Sequence, residues 1–295
     1  MDPPVQCGGC GRRVRRPGRV WDLLVHSAAV EVEYRRQIQE SGFVGGVADF
    51  QVVLQSDLGS HSAEASRVGL LTNPLINTQD EPTWNNYLGV RDHVVRQGTR
   101  LAELGCRSPS YFLRDAARHG VECVGLDLYF HTDGRSDSGY VKVLADMCRL
   151  PLPDAAFDTI FVSSALHHTP DLAGAVREVH RVLRPGGRFV LASEPPVSLL
   201  RRAGVVAGRP GDKARYTYPE YRRALREAGF RRVQIHFPGH VERVITSRGS
   251  SRHHALSEVL GALWQMPLGR WVITHLGLPP ALLLLEVSLV AVAYK

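Results

Sequence analysis

Short apolar runs alternate with polar or helix-like segments between residues 100 and 195 of this 295-residue chain. Five of the runs have the length of strands and are bounded by turn residues. They are Leu101–Leu104, Val121–Leu126, Val141–Ala145, Phe157–Ser163 and Arg188–Ser193. Strands that alternate with helices pair in parallel through right-handed crossovers, so the pattern predicts a doubly wound α/β sheet.

Capping and turn residues place the helices between these strands. Ser108 and Pro109 predict a helix start, with serine as the cap and proline in the first turn, and we expect this helix to end at Gly120. Asp171 predicts the start of another helix, and we expect this helix to end at the Pro185–Gly187 turn.

Two helices are also predicted ahead of the sheet. Apolar residues recur at helical intervals over Val20–Gln39, and a second helix begins after Pro82. Five apolar residues predict the buried face of this second helix, namely Trp84, Leu88, Val90, Val94 and Val95.

The last third of the chain completes the sheet and interrupts it once. A helix from Tyr218 to Ala228 leads into a sixth strand at Arg231–Phe237, and a seventh is predicted at Leu284–Tyr294. Helical spacing over Ala255–Trp264 indicates an ordered insertion between these two strands. The chain thus divides into an extension (1–80), an α/β domain (81–237 and 284–295) and an insertion (238–283). We expect the insertion to cap the site, with homodimer formation and peripheral membrane contact as alternatives.

Composition narrows the class of protein. The formal net charge is +7, with 44% hydrophobic and 22% charged residues, which is ordinary for a globular domain. The positive charge is spread out and fits solvated helix faces, although it is compatible with contact to nucleic acid or an anionic membrane. Five scattered cysteines do not form a disulfide framework, which favours a cytoplasmic protein. We expect no signal peptide and no transmembrane segment.

One cysteine pair, Cys7 and Cys10, has the spacing of a zinc ligand pair. A structural zinc site needs four ligands, and the sequence has no second CxxC. We therefore predict a flexible knuckle without metal, with a zinc site as the alternative.

Polar residues stand at or next to the ends of several predicted strands. They are Glu103 and Gly105, Asp127, Asp146 and His167. In doubly wound sheets, ligands bind beyond the carboxyl ends of the strands, so these residues mark the predicted site. An acid after the second strand is placed to accept hydrogen bonds from both ribose hydroxyls of a nucleotide.

The later motifs resemble a known family. After Asp146 come LPLPDAAFD, then ALHH, then RVLRPGG before the fifth strand. This combination resembles class I S-adenosylmethionine-dependent methyltransferases, in particular the small-molecule and quinone branch, over about Leu101 to Pro195. The resemblance implies a Rossmann-like, seven-stranded, mainly parallel sheet with an antiparallel last strand.

The resemblance also implies a cofactor site for S-adenosylmethionine. Glu103 and Gly105 would lie at the methionine end, and Asp127, with Leu128 beside it, would hold the ribose hydroxyls. Asp146 would accept the adenine amino group, the backbone near Met147 would meet the ring edge, and Ser163 or Ser164 would lie beneath the sulfonium. For Asp127 and Asp146 the alternative is a role in turns or helix caps.

The glycine loop departs from the family pattern. The usual ExGxGxG is replaced by a segment in which Glu103 and Gly105 are kept, while Arg107 and Pro109 stand where glycines are expected. Glycine permits positive φ and close approach of the backbone to a ligand. Arg107 is therefore expected to weaken or alter cofactor binding, or to turn outward and meet an anionic substrate or the cofactor carboxylate.

Catalysis needs a base only if the acceptor must lose a proton. His167 is the candidate base, because a neutral imidazole accepts a proton near pH 7. A packing or loop-anchoring role is the alternative. The candidate substrate contacts are Trp84, Tyr87, His168, Glu194 and Tyr218.

The sequence thus predicts methyl transfer to an oxygen or nitrogen of a small molecule, such as a natural product or lipid-like acceptor. A non-catalytic or repurposed protein of the same fold is the first alternative, because of the altered glycine loop. An RNA methyltransferase is the second, but no interleaving of aromatic and basic residues supports a nucleic-acid partner.

Overall fold

The computed structural model describes residues 5–6, 13–14, 20–22, 86–106, 110–128, 139–204, 216–235, 266–272 and 288–295. Trp84, Arg107, Pro109 and the cysteines of the CxxC pair lie outside these residues. Of the predicted cap, only residues 266–272 are described. The boundaries of the three predicted parts of the chain therefore stay predictions.

The described residues contain ten strands. They are β1 (Val5–Gln6), β2 (Arg13–Val14), β3 (Val20–Asp22), β4 (Arg100–Leu104), β5 (Glu122–Asp127), β6 (Val141–Leu144), β7 (Phe157–Ser163), β8 (Leu183–Glu194), β9 (Arg232–Ile235) and β10 (Leu289–Tyr294). The α-helices are α1 (Arg91–Val94), α2 (Tyr111–Arg118), α3 (Leu172–Val182), α4 (Leu199–Arg202), α5 (Tyr218–Glu227) and α6 (Pro267–Val272). A 3₁₀ turn spans Leu166–His168.

Eight of the strands form one sheet in the order β3-β6-β5-β4-β7-β8-β10-β9. The pairs from β3 to β8 are parallel, and β10 runs antiparallel to both β8 and β9. The predicted Rossmann-like sheet of seven strands with an antiparallel last strand is confirmed for β4 to β10. The strand order reverses between β4 and β7, which is where ligands bind in such sheets.

The eighth strand, β3, was not predicted. A helix was predicted to begin at Val20, and this start is wrong because Val20–Asp22 pairs in parallel with Lys142–Leu144 of β6. The pairing covers backbone groups that would otherwise be open along the edge of β6.

Two element boundaries also differ from the prediction. The cap of α2 is Ser110 and not Ser108, because the Ser110 hydroxyl accepts the hydrogen bond from the Leu113 amide at 3.1 Å. The helix α3 ends at Val182 and not at Pro185–Gly187, since that turn lies inside β8. The register of β8 against β7 shifts between Phe157 and Thr159, so the strand absorbs the turn as an irregularity.

The core has one layer on each face of the sheet. One layer includes Phe161, Val190 and Val292 with the helix α2 and residues 87–94, and the other includes Ile160 and Leu191 with α3 and α5. Leu88 was predicted to face the core but is 47% exposed, because the helical residues 86–88 bury Asn86 and Tyr87 instead.

Lys295 closes the far end of α3. Its ammonium donates hydrogen bonds to the carbonyl oxygens of His180 and Leu183, each at 2.6 Å. A cation is favourable at the carboxyl end of a helix, where carbonyl groups have no partner within the helix.

Replacing Lys295 by methionine should lower the free energy of unfolding by about 1–2 kcal/mol, because two charge-assisted hydrogen bonds are lost. Urea unfolding at neutral pH would measure the change. Arg226→Met, on the exposed face of α5, is the control and should be nearly neutral. Equal loss in both variants would contradict a specific role for Lys295.

Candidate functional site

The carboxyl ends of β4, β5, β6 and β7 meet at one edge of the sheet. Gly105, Asp127, Asp146 and Ser163 lie at or just beyond these ends, as the sequence predicted from strand order. Gly105 has a φ of +70°, and a Cβ at this position would collide with the Ala165 side chain. Glycine is therefore required here, both for the backbone angle and for the close approach of the two loops.

Glu103 lies behind this edge and not on its surface. Its carboxyl group is 2% exposed and accepts a hydrogen bond from the Ser110 hydroxyl at 2.5 Å. Burial raises the pKa of Glu103 to about 8, and the charge of nearby Asp127 adds to the increase. Glu103 thus joins β4 to the start of α2 across the glycine loop, and a direct contact with a cofactor stays a prediction.

Asp127 and Leu128 end β5 at the open edge. The Asp127 side chain is 8% exposed and belongs to the strand next to β4, so it is close to both Glu103 and Gly105 in the sheet. Its backbone carbonyl accepts a hydrogen bond from the Ala145 amide at 2.9 Å, which ties the ends of β5 and β6 together.

Asp146 and Met147 follow β6. One carboxylate oxygen of Asp146 accepts the Cys148 amide at 2.8 Å, so the predicted turn-forming role is present. This hydrogen bond occupies only Oδ1, and the side chain is half-exposed. The other carboxylate oxygen, Oδ2, can therefore accept a hydrogen bond from a ligand. Met147 is half-buried and its terminal methyl group lies near Gly105.

Glu194 holds the turn that carries the two histidines. Its fully buried carboxylate accepts hydrogen bonds from the amides of residues 165, 166 and 167 at 2.7, 2.9 and 3.0 Å. It also contacts His167 Nδ1 at 3.1 Å and accepts the Tyr221 hydroxyl at 3.3 Å. Burial alone would raise the pKa of Glu194, but the hydrogen bonds from His167 and the backbone outweigh it and lower the pKa below its usual value.

These contacts define the orientation of His167. Because Nδ1 faces the Glu194 carboxylate, the neutral ring carries its hydrogen on Nδ1 and its lone pair on Nε2. The ring is 4% exposed and lies against the ring of His168, with centroids 4.0 Å apart. His167 therefore anchors the loop, and its role as a base stays a prediction.

Two of the predicted substrate contacts, Tyr87 and Glu194, are fully buried and bonded to other groups of the protein. Tyr87 is fully buried, its hydroxyl donates to Asp115 at 2.7 Å, and its ring packs against Phe112 and Phe161. These contacts give Tyr87 a packing role, and its contact with the substrate stays a prediction. Glu194 is likewise enclosed by the groups that it binds, so it positions the turn, and its contact with the substrate stays a prediction.

Tyr218 lies at the start of α5 and is half-buried, with its pKa raised by burial. It and His168 stay candidates for the substrate side.

Sequence reasoning missed three residues at this edge. Asn86 is 1% exposed and donates its side-chain amide to the Ser193 hydroxyl at 2.9 Å, and Tyr221 reaches Glu194 from α5. Ser193 has a positive φ of 58°. The sequence provides only a weak signal for a buried Asn86, namely its place beside a core aromatic residue. A polar residue at that place is equally typical of a position that faces solvent.

The described ranges hold neither a metal cluster nor a membrane-spanning helix. No group of three or more His, Cys, Asp or Glu side chains there is arranged to hold a metal ion. In the same ranges no helix has the length and apolar character needed to cross a membrane. The strands β1 and β2 flank the CxxC pair, whose own residues are outside the described part.

Residues 102–191 match a family model described as a methyltransferase domain. The 27-O-demethylrifamycin SV methyltransferase of Amycolatopsis mediterranei is 28% identical over 201 residues, which cover 60% of this chain and 72% of that relative. The demethylmenaquinone methyltransferase of Mycobacterium marinum is 37% identical over 91 residues, which cover 29% of this chain and 38% of the relative. A solved structure of Haemonchus contortus phosphoethanolamine N-methyltransferase 2 with S-adenosyl-L-methionine is 14% identical at a TM-score of 0.48, covering 85% of this chain and 60% of that one.

Residues 102–191 are therefore similar to a methyltransferase domain. The site residues fit S-adenosylmethionine as the cofactor in three respects. Gly105 has no side chain, so a ligand can approach its backbone at the edge of the sheet. Asp127 ends the neighbouring strand. The buried hydroxyl of Ser163 has no hydrogen-bond partner within the described structure.

Proposed function

We propose that this protein transfers a methyl group from S-adenosylmethionine to an oxygen or nitrogen of a small molecule. The observation that carries the proposal is the edge where Gly105, Asp127, Asp146 and Ser163 meet, within the segment that matches a methyltransferase domain. The presence of a relative that acts on a demethylrifamycin supports a natural product or lipid-like acceptor. The same proposal includes a cytoplasmic location and a cap over the site formed by residues 238–283, for which homodimer formation and peripheral membrane contact are the alternatives.

The cofactor supplies a methyl group on a sulfonium, which needs positioning and exclusion of water more than acid–base help. In the proposal Asp127 holds the two ribose hydroxyls and Asp146 accepts the adenine amino group. Leu128 and the backbone near Met147 contact the cofactor beside these residues. Gly105 lets the loop approach the methionine end, where Arg107 meets the cofactor carboxylate or an anionic acceptor.

His167 is the proposed base for an acceptor that must lose a proton. Its Nδ1 is engaged by Glu194, which leaves the Nε2 lone pair to receive the proton. The Glu194 carboxylate also stabilises the imidazolium that results, because the two groups are 3.1 Å apart in a buried site.

Calorimetric titration of the full chain with S-adenosylmethionine and S-adenosylhomocysteine tests the proposal. Binding of both ligands with a rise in melting temperature is expected. Folded protein that gives neither heat nor a thermal shift would favour a repurposed protein in which the altered glycine loop has lost the cofactor. Binding to transfer RNA that survives moderate salt would instead favour an RNA substrate.

Asp127→Ala should weaken S-adenosylhomocysteine binding about tenfold or more, because two hydrogen bonds to the ribose are lost. Calorimetry measures the affinity, and Asp92→Ala on exposed α1 is the matched control, with no expected change. An unchanged affinity in Asp127→Ala would place the nucleoside elsewhere.

A further inference from the structure

Two polar atoms near the carboxyl edge are buried and lack partners. Within the described ranges, Oδ1 of Asn86 and Oγ of Ser163 make no hydrogen bond, although both are almost fully removed from the surface. Leaving a buried polar atom unpaired is unfavourable, so native proteins rarely keep one without a ligand or a water to satisfy it. The third such atom, Nε of Arg188, belongs to a residue that pairs with Thr159 near the other end of the sheet.

Asn86 and Ser163 lie on the same face of the sheet. Side chains alternate along a strand, so Ser163 faces the same side as Phe161, two residues earlier. Tyr87 packs on Phe161 with ring centroids 5.7 Å apart, which brings the preceding residue, Asn86, to this face. Asn86 also donates to Ser193, which follows the β8 residue that pairs with Ser163.

Strained backbone borders both residues. Ser164 and Ser193 have φ values of 50° and 58°, in the left-handed region that non-glycine residues seldom adopt. They directly follow Ser163 and the paired Ala192 at the ends of β7 and β8. Such conformations persist where the surrounding structure enforces them, and they cluster at ligand sites.

We propose that Asn86 Oδ1 and Ser163 Oγ form a hydrogen-bonding site that faces the transferred methyl group and binds the acceptor atom. The inference rests on the proposed methyl transfer and narrows its substrate. Oδ1 of an amide can only accept a hydrogen bond, and Ser163 can accept one too. The site therefore selects an acceptor that arrives with hydrogens, a hydroxyl or an amine, and disfavours a carboxylate, whose lone pairs would face Oδ1.

This assignment gives the two ends of Asn86 different tasks. The amide nitrogen is held by Ser193 at 2.9 Å, so the oxygen is fixed in one direction and no rotation is needed when a ligand binds. An acceptor that is fixed in advance costs less entropy on binding than one that must be ordered. Asn86 would thus orient the acceptor toward the methyl group.

Two cofactor analogues probe the site without knowledge of the acceptor. Sinefungin carries an amino group where the sulfonium methyl group stands in the cofactor, while S-adenosylhomocysteine has no group there. Calorimetry on the full chain is expected to give wild-type protein a preference of about tenfold or more for sinefungin, since the ammonium would donate to the two oxygens.

The ratio of the two affinities should fall to about twofold or less in Asn86→Leu and in Ser163→Ala. Thr159→Val removes another buried hydroxyl from the same strand, four residues before Ser163, and should keep the preference. Ser163→Ala is the smaller change and keeps the test open if Asn86→Leu does not fold.

Equal affinities of wild-type protein for the two analogues would overturn the inference and leave water as the occupant of the site. A preference that survives in both variants would overturn it as well. If neither analogue binds wild-type protein, the result contradicts the proposed methyl transfer itself and not only the acceptor site.

Discussion

Replacing Glu194 by glutamine is expected to lower the free energy of unfolding by about 3 kcal/mol. The carboxylate accepts three backbone amides, and His167 and Tyr221 also bond to it. Glutamine has almost the same shape, but it has one oxygen and directs an NH₂ group at hydrogen-bond donors. Several buried amides would lose their partner, and the turn at residues 165–167 would loosen.

Urea unfolding at pH 7 measures this effect, and Tyr221→Phe provides the graded control. That variant removes only the 3.3 Å bond to Glu194 and should cost less than about 1 kcal/mol. Because Ala165 lies against Gly105, Glu194→Gln should also weaken binding of S-adenosylhomocysteine. A Glu194→Gln protein as stable as the wild type would show that the carboxylate does not hold the turn.

Glu103 is expected to make the folded protein less stable as the pH rises from 5 to 8. Its pKa is about 8 in the folded protein, against an ordinary value of 4.5. Between these values the folded protein retains a proton that the unfolded chain has released, so the free energy of unfolding falls with rising pH. The contribution is complete below pH 4.5 and is lost as the pH passes through 8, with a total on the order of 5 kcal/mol.

Glu103→Gln imitates the protonated group and should remove this pH dependence. At pH 8 the variant should be more stable than the wild type, and at pH 5 the two should be similar. Urea unfolding at both pH values measures the difference, and Glu122→Gln is the control because Glu122 is exposed on the adjacent strand. Parallel pH profiles of wild type and Glu103→Gln would mean that Glu103 is already ionised in the folded protein.

The strands could be predicted well because each is a short apolar run that ends at a turn residue. The positions of Gly105, Asp127 and Asp146 followed from the same pattern, since parallel strands bring their carboxyl ends to one edge. The Pro185–Gly187 turn was misassigned because proline and glycine usually end a helix, whereas here β7 pairs with Leu183 before the turn and with Arg188 after it.

The roles of individual buried polar residues could not be predicted. Glu194 was expected at the substrate, yet the groups that surround it come from residues 165–167 and from α5, far away in sequence. Asn86 was missed for the same reason, because its partner Ser193 is 107 residues away. Periodicity shows which face of an element is buried, but not which distant donor meets which acceptor.

The position of β10 has a consequence for how the chain folds during synthesis. Among the described strands, β9 pairs only with β10, although β9 is made first. Until β10 leaves the ribosome, the edge of β8 is open and β9 has no neighbour in the sheet. The strands that carry the candidate site, β4 to β8, can pair before that moment. The cofactor edge can thus form before the sheet is complete, and insertion of β10 between β8 and β9 is the step that closes it.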